Sequence, residues 1–316
     1  MTKLKSKASD PMLDKIILTA QLYYNNHFSQ QEIADRLHIS RPWVSKLLNK
    51  AQEMGFVKIS IDTPISGIPS IEERLKERYP VSLIRVVKAP DQNHNYVALS
   101  AANYFVSQVQ NNDTIGIGWG NAISQFIQEL TPLNTKNVKV IPMAGSFGAT
   151  FETLPNYSAI ELAKKINGEA QTLHAPAFCS SKEEYETLVA SESVHTVLDQ
   201  AVHADIAIAG IGSFAASFLT RYNILSQEEI HQLQEKEAAG DILLRFLNAK
   251  GKPVETEWTR HTIRADIFEV KKHARKIIAL AWGTEKSQII HTVLSAHLVD
   301  AFFTDEKTAL DLLERF

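Results

Sequence analysis

The sequence holds a single cysteine, Cys179, in 316 residues. No intrachain disulfide can form, which fits a cytoplasmic protein. Beside Phe178, the lone thiol reads as a small packing residue rather than a nucleophile. No run approaches the roughly 20 apolar residues that a membrane-spanning helix needs, so no membrane partner is expected. The opening MTKLKSKASD has three lysines and no apolar core behind them, unlike a secretory leader. The eleven histidines are scattered, with no HExxH and no Cys/His cluster, so no metal is expected. A Walker lysine motif, a Ser/His/Asp arrangement, internal repeats and low-complexity segments are all missing. No catalytic residue and no cofactor is expected.

What is present is ordinary in bulk: 44% apolar, 22% charged and a net charge of −3. The length is comfortable for two domains. The charge is uneven. Residues 1–62 hold seven Lys and two Arg against six Asp/Glu, giving +3, and the rest holds 24 against 30, giving −6. A mildly basic head on an acidic body fits a nucleic-acid-binding domain attached to something that does not touch nucleic acid.

The stretch Phe28–Phe56 reads as a helix-turn-helix. Ser29 with Glu32 forms a capping box, and Ile33, Ala34 and Leu37 share one face. After a break at His38-Ile39, Ser40 supplies a second cap and Pro42 suits the start of a helix. Val44, Leu47, Leu48 and Ala51 point inward, and Gly55 stops the helix. Arg41, Trp43, Ser45, Lys46, Asn49 and Lys50 are left outward. A second helix of this kind lies in the DNA major groove. Arg41 and Lys46 suit phosphate or guanine, Ser45 and Asn49 suit base edges, and Trp43 suits a thymine methyl or a sugar. Ser29, Gln30 and Ser40, at the two helix starts, complete the expected DNA-contacting set. A helix over Met12–Asn26 packs behind this unit, and the alternation in FVKISID (56–62) predicts a strand, either one arm of a small β wing or a strand lying on the helices. Thr63–Pro69 reads as the linker between domains 1–62 and 70–316.

After a short charged helix over 70–79, short apolar strands alternate with helices, the pattern of strands buried on both faces. The expected body is α/β, a doubly wound and mostly parallel sheet. Ligands of such sheets sit beyond the carboxyl ends of the strands, where this sequence places GIGWGN (116–121), AGSFG (144–148), GIGS (210–213) and GTEK (283–286). Glycines let backbone N–H groups close on an anion, and a helix start adds partial positive charge. Four such loops, one with Lys286, point to a phosphate-bearing ligand. GIGWG is not a dinucleotide fingerprint, since it lacks the third glycine and the distant carboxylate. In Ala239-Gly240-Asp241-Ile242 the glycine allows a tight turn, and Asp241 either caps it or accepts hydrogen bonds from sugar hydroxyls; both readings stand.

These motifs together resemble the SorC family of bacterial transcriptional regulators. The resemblance rests on YYNNHFSQQEIADRLHISRPWVSKLL, DTIGIGWGNAI, AAGDILLRFLNAKG and ALAWGTEKSQIIHTVLSAHLVDAFFTDEKTALDLL, in that order. It implies a winged-helix head that binds double-stranded operator DNA. It also implies a sugar-binding body of the sugar-phosphate isomerase/deaminase type, a sugar-phosphate effector, and a homotetramer built as a dimer of dimers. Carried over by position, Gly118, Trp119, Gly120, Asn121, Ala122, Gly145, Ser146 and Lys286 would hold the effector's phosphate and Asp241 its hydroxyls, and Gly212 completes the expected effector-binding set. The family usually has two threonines where Asn121-Ala122 stand, and Thr where Trp43 stands. Some relatives have a Schiff-base lysine where this chain has Met143-Ala144, so binding here is expected to be reversible. The rival readings are a sugar-phosphate isomerase or deaminase with a DNA-binding head, with Asp241 as base, and a structural DNA-binding oligomer with no ligand.

Overall fold

Three helices make the N-terminal unit. The computed structural model describes residues 11–57, 65–89, 95–146, 154–213 and 225–316, and the chain divides into units 1–62 and 63–316. Helix α1 (Pro11–Ala20) continues into a π-helical turn, Gln21–Asn25, so the helix expected over 12–26 is widened in its last third. Helices α2 (Gln30–Leu37) and α3 (Arg41–Glu53) follow. Ile16 and Ala20 pack on Leu47 and Ala51, and Ile33 and Ala34 pack on Val44 and Leu48. His38 turns the chain in the left-handed region, φ 50°. Gly55, at φ 76°, stops α3 as read from the sequence. Of the strand expected over 56–62, residues 58–62 lie outside the described residues. Phe56 and Val57 are not in a strand, and Val57 packs against the helices instead.

The second unit is built on a parallel sheet. In chain order come α4 (Pro69–Arg78), β1 (Leu83–Val87), α5 (Tyr96–Gln108), β2 (Thr114–Ile117), α6 (Asn121–Glu129), β3 (Lys139–Pro142), α7 (Pro155–Ile166), β4 (Glu169–Ala170), α8 (Lys182–Ala190), α9 (Glu192–Val202) and β5 (Ile206–Ser213). The chain continues through α10 (Gln227–Glu235), β6 (Ala238–Ile242), β7 (Arg245–Asn248), α11 (Glu257–Arg260), α12 (Ile267–His273), β8 (Lys276–Leu280), α13 (Ser287–Ser295), β9 (Ala301–Asp305) and α14 (Glu306–Arg315). The strand order is β1-β9-β8-β5-β2-β3-β4, all parallel. One face is covered by α5, α6 and α7, through Ala98, Phe105, Ile123, Phe126 and Leu162. The other is covered by α4, α12, α13 and α14, through Leu75, Val270, Ile290, Val293 and Leu312.

The sequence reading differs from this fold at β5, β6 and β7. GIGS (210–213) was expected as a loop beyond the end of a strand, but β5 runs on to Ser213, so Gly210 and Gly212 lie in the strand itself. They carry the antiparallel hairpin β6–β7, with Gly212 opposite Asp241 and Ser213 opposite Gly240. Gly240 is therefore a strand residue, not a turn. A side chain there would overlap the Gly212 carbonyl oxygen and come within 2.9 Å of Ile289, so glycine is what lets β6 lie against β5 under α13. The turn itself is Leu243-Leu244, both buried and both at positive φ, 51° and 59°. This is the two-residue arrangement that Asn-Gly usually supplies.

Gly240→Ala should lower the stability of the full chain by about 1–3 kcal/mol or more, the range for overpacking a filled core. Urea unfolding measures it; an unchanged midpoint would mean that β6 can shift without loss.

Candidate functional site

In the N-terminal unit, the capping box is formed as read. The Ser29 hydroxyl accepts the Glu32 N–H at 3.3 Å, and the Glu32 carboxylate accepts the Ser29 N–H at 2.8 Å. Ser40 starts α3 through its backbone alone; its side chain makes no capping hydrogen bond, which corrects the second cap expected there. Val44, Leu47, Leu48 and Ala51 are buried, while Arg41, Trp43, Lys46, Asn49 and Lys50 are exposed and Ser45 half-buried. Trp43 is 38% exposed although it is large and apolar. Ser29 and Ser40 are exposed and Gln30 half-buried.

In the second unit, the chain reverses its direction of travel across the sheet between β2 and β5. From β2 it moves outward to β3 and β4, then returns to β5 and goes the other way through β8 and β9. The crevice at the carboxyl ends of such a strand pair is where open α/β sheets bind ligands. The Gly118–Gly120 loop lies there. The Gly118 N–H bonds the Ile208 carbonyl at 2.8 Å, tying the loop to β5. Gly120 takes φ 93° and starts α6 with no side-chain cap, leaving Asn121 and Ala122 as the first two residues of the helix. Uncapped helix starts carry unpaired N–H groups and partial positive charge. Across the crevice, a Cβ on Gly210 would sit 3.8 Å from the Trp119 carbonyl oxygen and 3.9 Å from the Ala122 Cβ.

Asp241 is buried at the same sheet end, facing Gly212. A Cβ on Gly212 would come within 2.8 Å of the Asp241 carboxylate, so this strand residue must be small to admit it. Asp241 accepts the Leu244 N–H at 3.1 Å. Burial raises its pKa to about 7, opposed by that hydrogen bond and by the charges of Arg264 and Lys286. Below pH 7 the carboxyl is neutral and can donate; above it, the group only accepts. Lys286 is half-buried, 5.8 Å from the centre of the Trp282 ring, behind Gly283, whose N–H bonds Thr308 at 2.8 Å.

Gly145 and Ser146 are placed differently from an anion cradle. Their N–H groups donate to the carbonyls of Ile263 and Ala175, at 3.0 and 2.9 Å. Glycine is required at 145 because a side chain would overlap the Pro176 carbonyl. Beside this loop the Ser146 hydroxyl lies 3.4 Å from the Asn156 amide. The structure thus brings together Gly118–Ala122, Gly212 and Asp241 at one sheet end. It adds Leu243, whose side chain would lie 3.3 Å from a Cβ on Gly118, and Arg264, which acts on Asp241 through charge. Neither was legible in the sequence: a Leu-Leu pair carries no turn signal, and Arg264 stands in an unremarkable run. Cys179 is buried among Leu173, Val194 and Ile263, and burial raises its pKa to about 11, as suits a packing residue.

Residues 63–314 match the Sugar-bind family, described as a sugar-binding domain. The deoxyribonucleoside regulator of Bacillus subtilis is 28% identical over 94% of this chain and 96% of its own. The erythritol catabolism regulatory protein EryD of Brucella abortus is 28% identical over 93% and 94%. Among solved structures, the full-length sorbitol operon regulator SorC of Klebsiella pneumoniae superposes with a TM-score of 0.72 at 25% identity, covering 97% of this chain and all of its own. These relatives are regulators, not enzymes.

Because Asp241 binds its proton more tightly folded than unfolded, the folded state holds more protons between about pH 4 and 7. Stability should therefore fall as pH rises through that window, by up to a few kcal/mol. Asp241→Asn should flatten the dependence and stabilise the protein at pH 8, read by thermal unfolding at pH 5 and pH 8; an equal slope in both proteins would remove Asp241 as its source. The chain belongs to the SorC family of sugar-binding transcriptional regulators.

Proposed function

We propose that the protein binds double-stranded operator DNA through α3 and that a phosphorylated sugar, bound at the crevice between β2 and β5, controls that binding. The observation that carries the effector reading is the uncapped start of α6 behind Gly120, at the point where the sheet reverses, with buried Asp241 at the same sheet end. The phosphate sits on the N–H groups of the Trp119–Ala122 segment, held in place by the Gly118 N–H bond to Ile208, with the Asn121 amide and Lys286 as further donors. Asp241 takes the sugar hydroxyls, and Gly212 leaves room for its carboxylate. Gly145 contributes by bringing the chain close, and Ser146 by its hydroxyl. With Met143-Ala144 in place of a lysine, binding is reversible.

On the DNA side, Arg41 and Lys46 contact phosphate or guanine, Ser45 and Asn49 contact base edges, and Trp43 covers a sugar or a thymine methyl. Ser29, Gln30 and Ser40 contact the backbone from the helix starts. Residues 1–62 form the head, 63–69 the linker and 70–316 the effector-binding and oligomerising body. The assembly is a cytoplasmic homotetramer, a dimer of dimers on a palindromic site. The named regulators of deoxyribonucleoside, erythritol and sorbitol genes support sugars, polyols and their phosphates as the class to search. Among the described residues no helix is long and apolar enough to cross a membrane. Effector binding changes operator affinity by a coupling energy of about 1–3 kcal/mol.

A thermal-shift screen of the full chain against sugars, polyols and their phosphates tests this. A phosphate at 100 times its dissociation constant should add about 2.7 kcal/mol of stability, and its free sugar should add little. A response to free sugar alone would overturn the phosphate assignment. Lys286→Ala should weaken the response and leave DNA binding intact. Arg41→Ala should abolish specific operator binding and leave the effector response intact, and loss of both in either folded variant would count against separate roles.

A further inference from the structure

A cleft of about 210 Å³ opens among α8, β7 and α11, lined by Arg245, Arg260, Arg264, Tyr185, Glu255 and Asp266. No residue of the Gly118–Ala122 loop lines it, nor does Asp241 or Lys286. Its charges do not balance. Asp266 accepts the Arg245 Nε at 2.7 Å and a second N–H of the same guanidinium. Glu255 accepts the Arg260 Nε at 3.3 Å. Arg264 has no such partner: Asp266 is 3.8 Å away and already engaged by Arg245. The Arg264 side chain is only 7% exposed. One of its terminal N–H groups donates to the Thr259 carbonyl at 3.1 Å, and its buried Nε has no hydrogen-bond partner. Among the residues lining the cleft, three guanidiniums face two carboxylates; the Asp241 carboxyl, outside the cleft, also acts on Arg264 and is about half ionised near pH 7.

A buried cation with an unmet donor is costly unless something supplies acceptors. The cleft is smaller than the roughly 300–1,000 Å³ of sites for drug-sized ligands, so its occupant is a small group. Donors converge on it from three elements, from Tyr185 on α8, Arg260 on α11 and Arg264 beyond α11. A planar carboxylate satisfies one arginine fork; a tetrahedral oxyanion can accept from several directions at once. We propose that this cleft is a second anion site that binds a phosphate group through Arg264 and Arg260, separate from the crevice between β2 and β5. The segment carrying Arg264 is bonded to the loop after β3, through the Ala265 N–H to Met143 at 2.8 Å and the Gly145 N–H to Ile263 at 3.0 Å. Arg264 also acts on Asp241 through charge. An anion in the cleft therefore bears on the crevice, and by linkage a ligand in the crevice bears on the anion. The inference does not depend on the identity of the effector.

The test is thermal shift of the full chain against inorganic phosphate, at ionic strength held constant with chloride, with glycerol 3-phosphate in a parallel series. A saturable stabilisation of the natural protein is expected. Arg264→Lys, which keeps the charge and loses the fork, and Arg260→Gln should each weaken it about tenfold or more, while Lys286→Ala retains it. Tighter binding of the ester would support the proposal and name a phosphate ester as occupant; tighter binding of inorganic phosphate would support it and name the free ion. No saturable shift with either probe would overturn it. So would a shift unchanged in Arg260→Gln, or one lost in Lys286→Ala, which would assign the phosphate to the crevice. Should Arg264→Lys fail to fold, Arg260→Gln decides alone, since that side chain is 62% exposed and tolerates change.

Discussion

The sheet end proposed to bind the effector depends on a contact between two backbones. β6 lies on β5 only because Gly240 presents no side chain to the Gly212 carbonyl or to Ile289, and Gly212 in turn leaves space for the Asp241 carboxylate. Two glycines on neighbouring strands, one register position apart, thus seat a carboxylate in an apolar interior, where burial raises its pKa to about 7. The neighbouring turn, Leu243-Leu244, is held at positive φ with both leucines buried. Strain of that kind persists where the surroundings over-determine it. Here the surroundings are the cores on either side of the hairpin, one containing Leu243 and the other Leu244 with Phe246.

The two units solve different physical problems. The head is small and needs only an apolar seam between three helices, so most of its polar surface can be given to recognition. The body buries a sheet on both faces, and the site proposed for its effector lies where strands end and backbone groups lose their ladder partners. Elsewhere, among the described residues, buried acidic groups accept hydrogen bonds or form ion pairs. Arg275 holds Asp113 with two N–H groups, at 3.1 and 2.8 Å, and Glu72 accepts the Val86 N–H at 3.0 Å with Arg85 3.4 Å away. Against those closed pairs, the polar groups near the crevice and in the arginine cleft stand out.

The helices of the head and the parallel strands were legible because pattern carried them: Ile33, Ala34, Val44, Leu47 and Leu48 sit at helical spacing, and short apolar strands alternate with helices as expected. Glycine positions were also visible, but not their reasons. The sequence reading treated glycine as a way to free N–H groups, which suits Gly120. At Gly145 and Gly240, however, glycine serves close packing, a property of two segments far apart in the chain. The β6–β7 hairpin was missed because its turn is two leucines, which carry no signal of positive φ. The short helix Ile267–His273 was missed for lack of length. Arg264 could not be singled out, since its burial is fixed by the fold around it.

The strand order has a consequence for how the chain is made. Among the described residues β1 pairs only with β9, so a strand synthesised early waits more than two hundred residues for its neighbour. β9 fills the place between β1 and β8, and the following helix supplies Thr308, which anchors the loop before Lys286. A nascent chain that has not yet released residues 301–316 therefore carries open strand edges, which invite mispairing. Its crevice is also incomplete. The head can fold as soon as it emerges, since its contacts are local, so during synthesis the part suited to DNA matures well before the part that would regulate it.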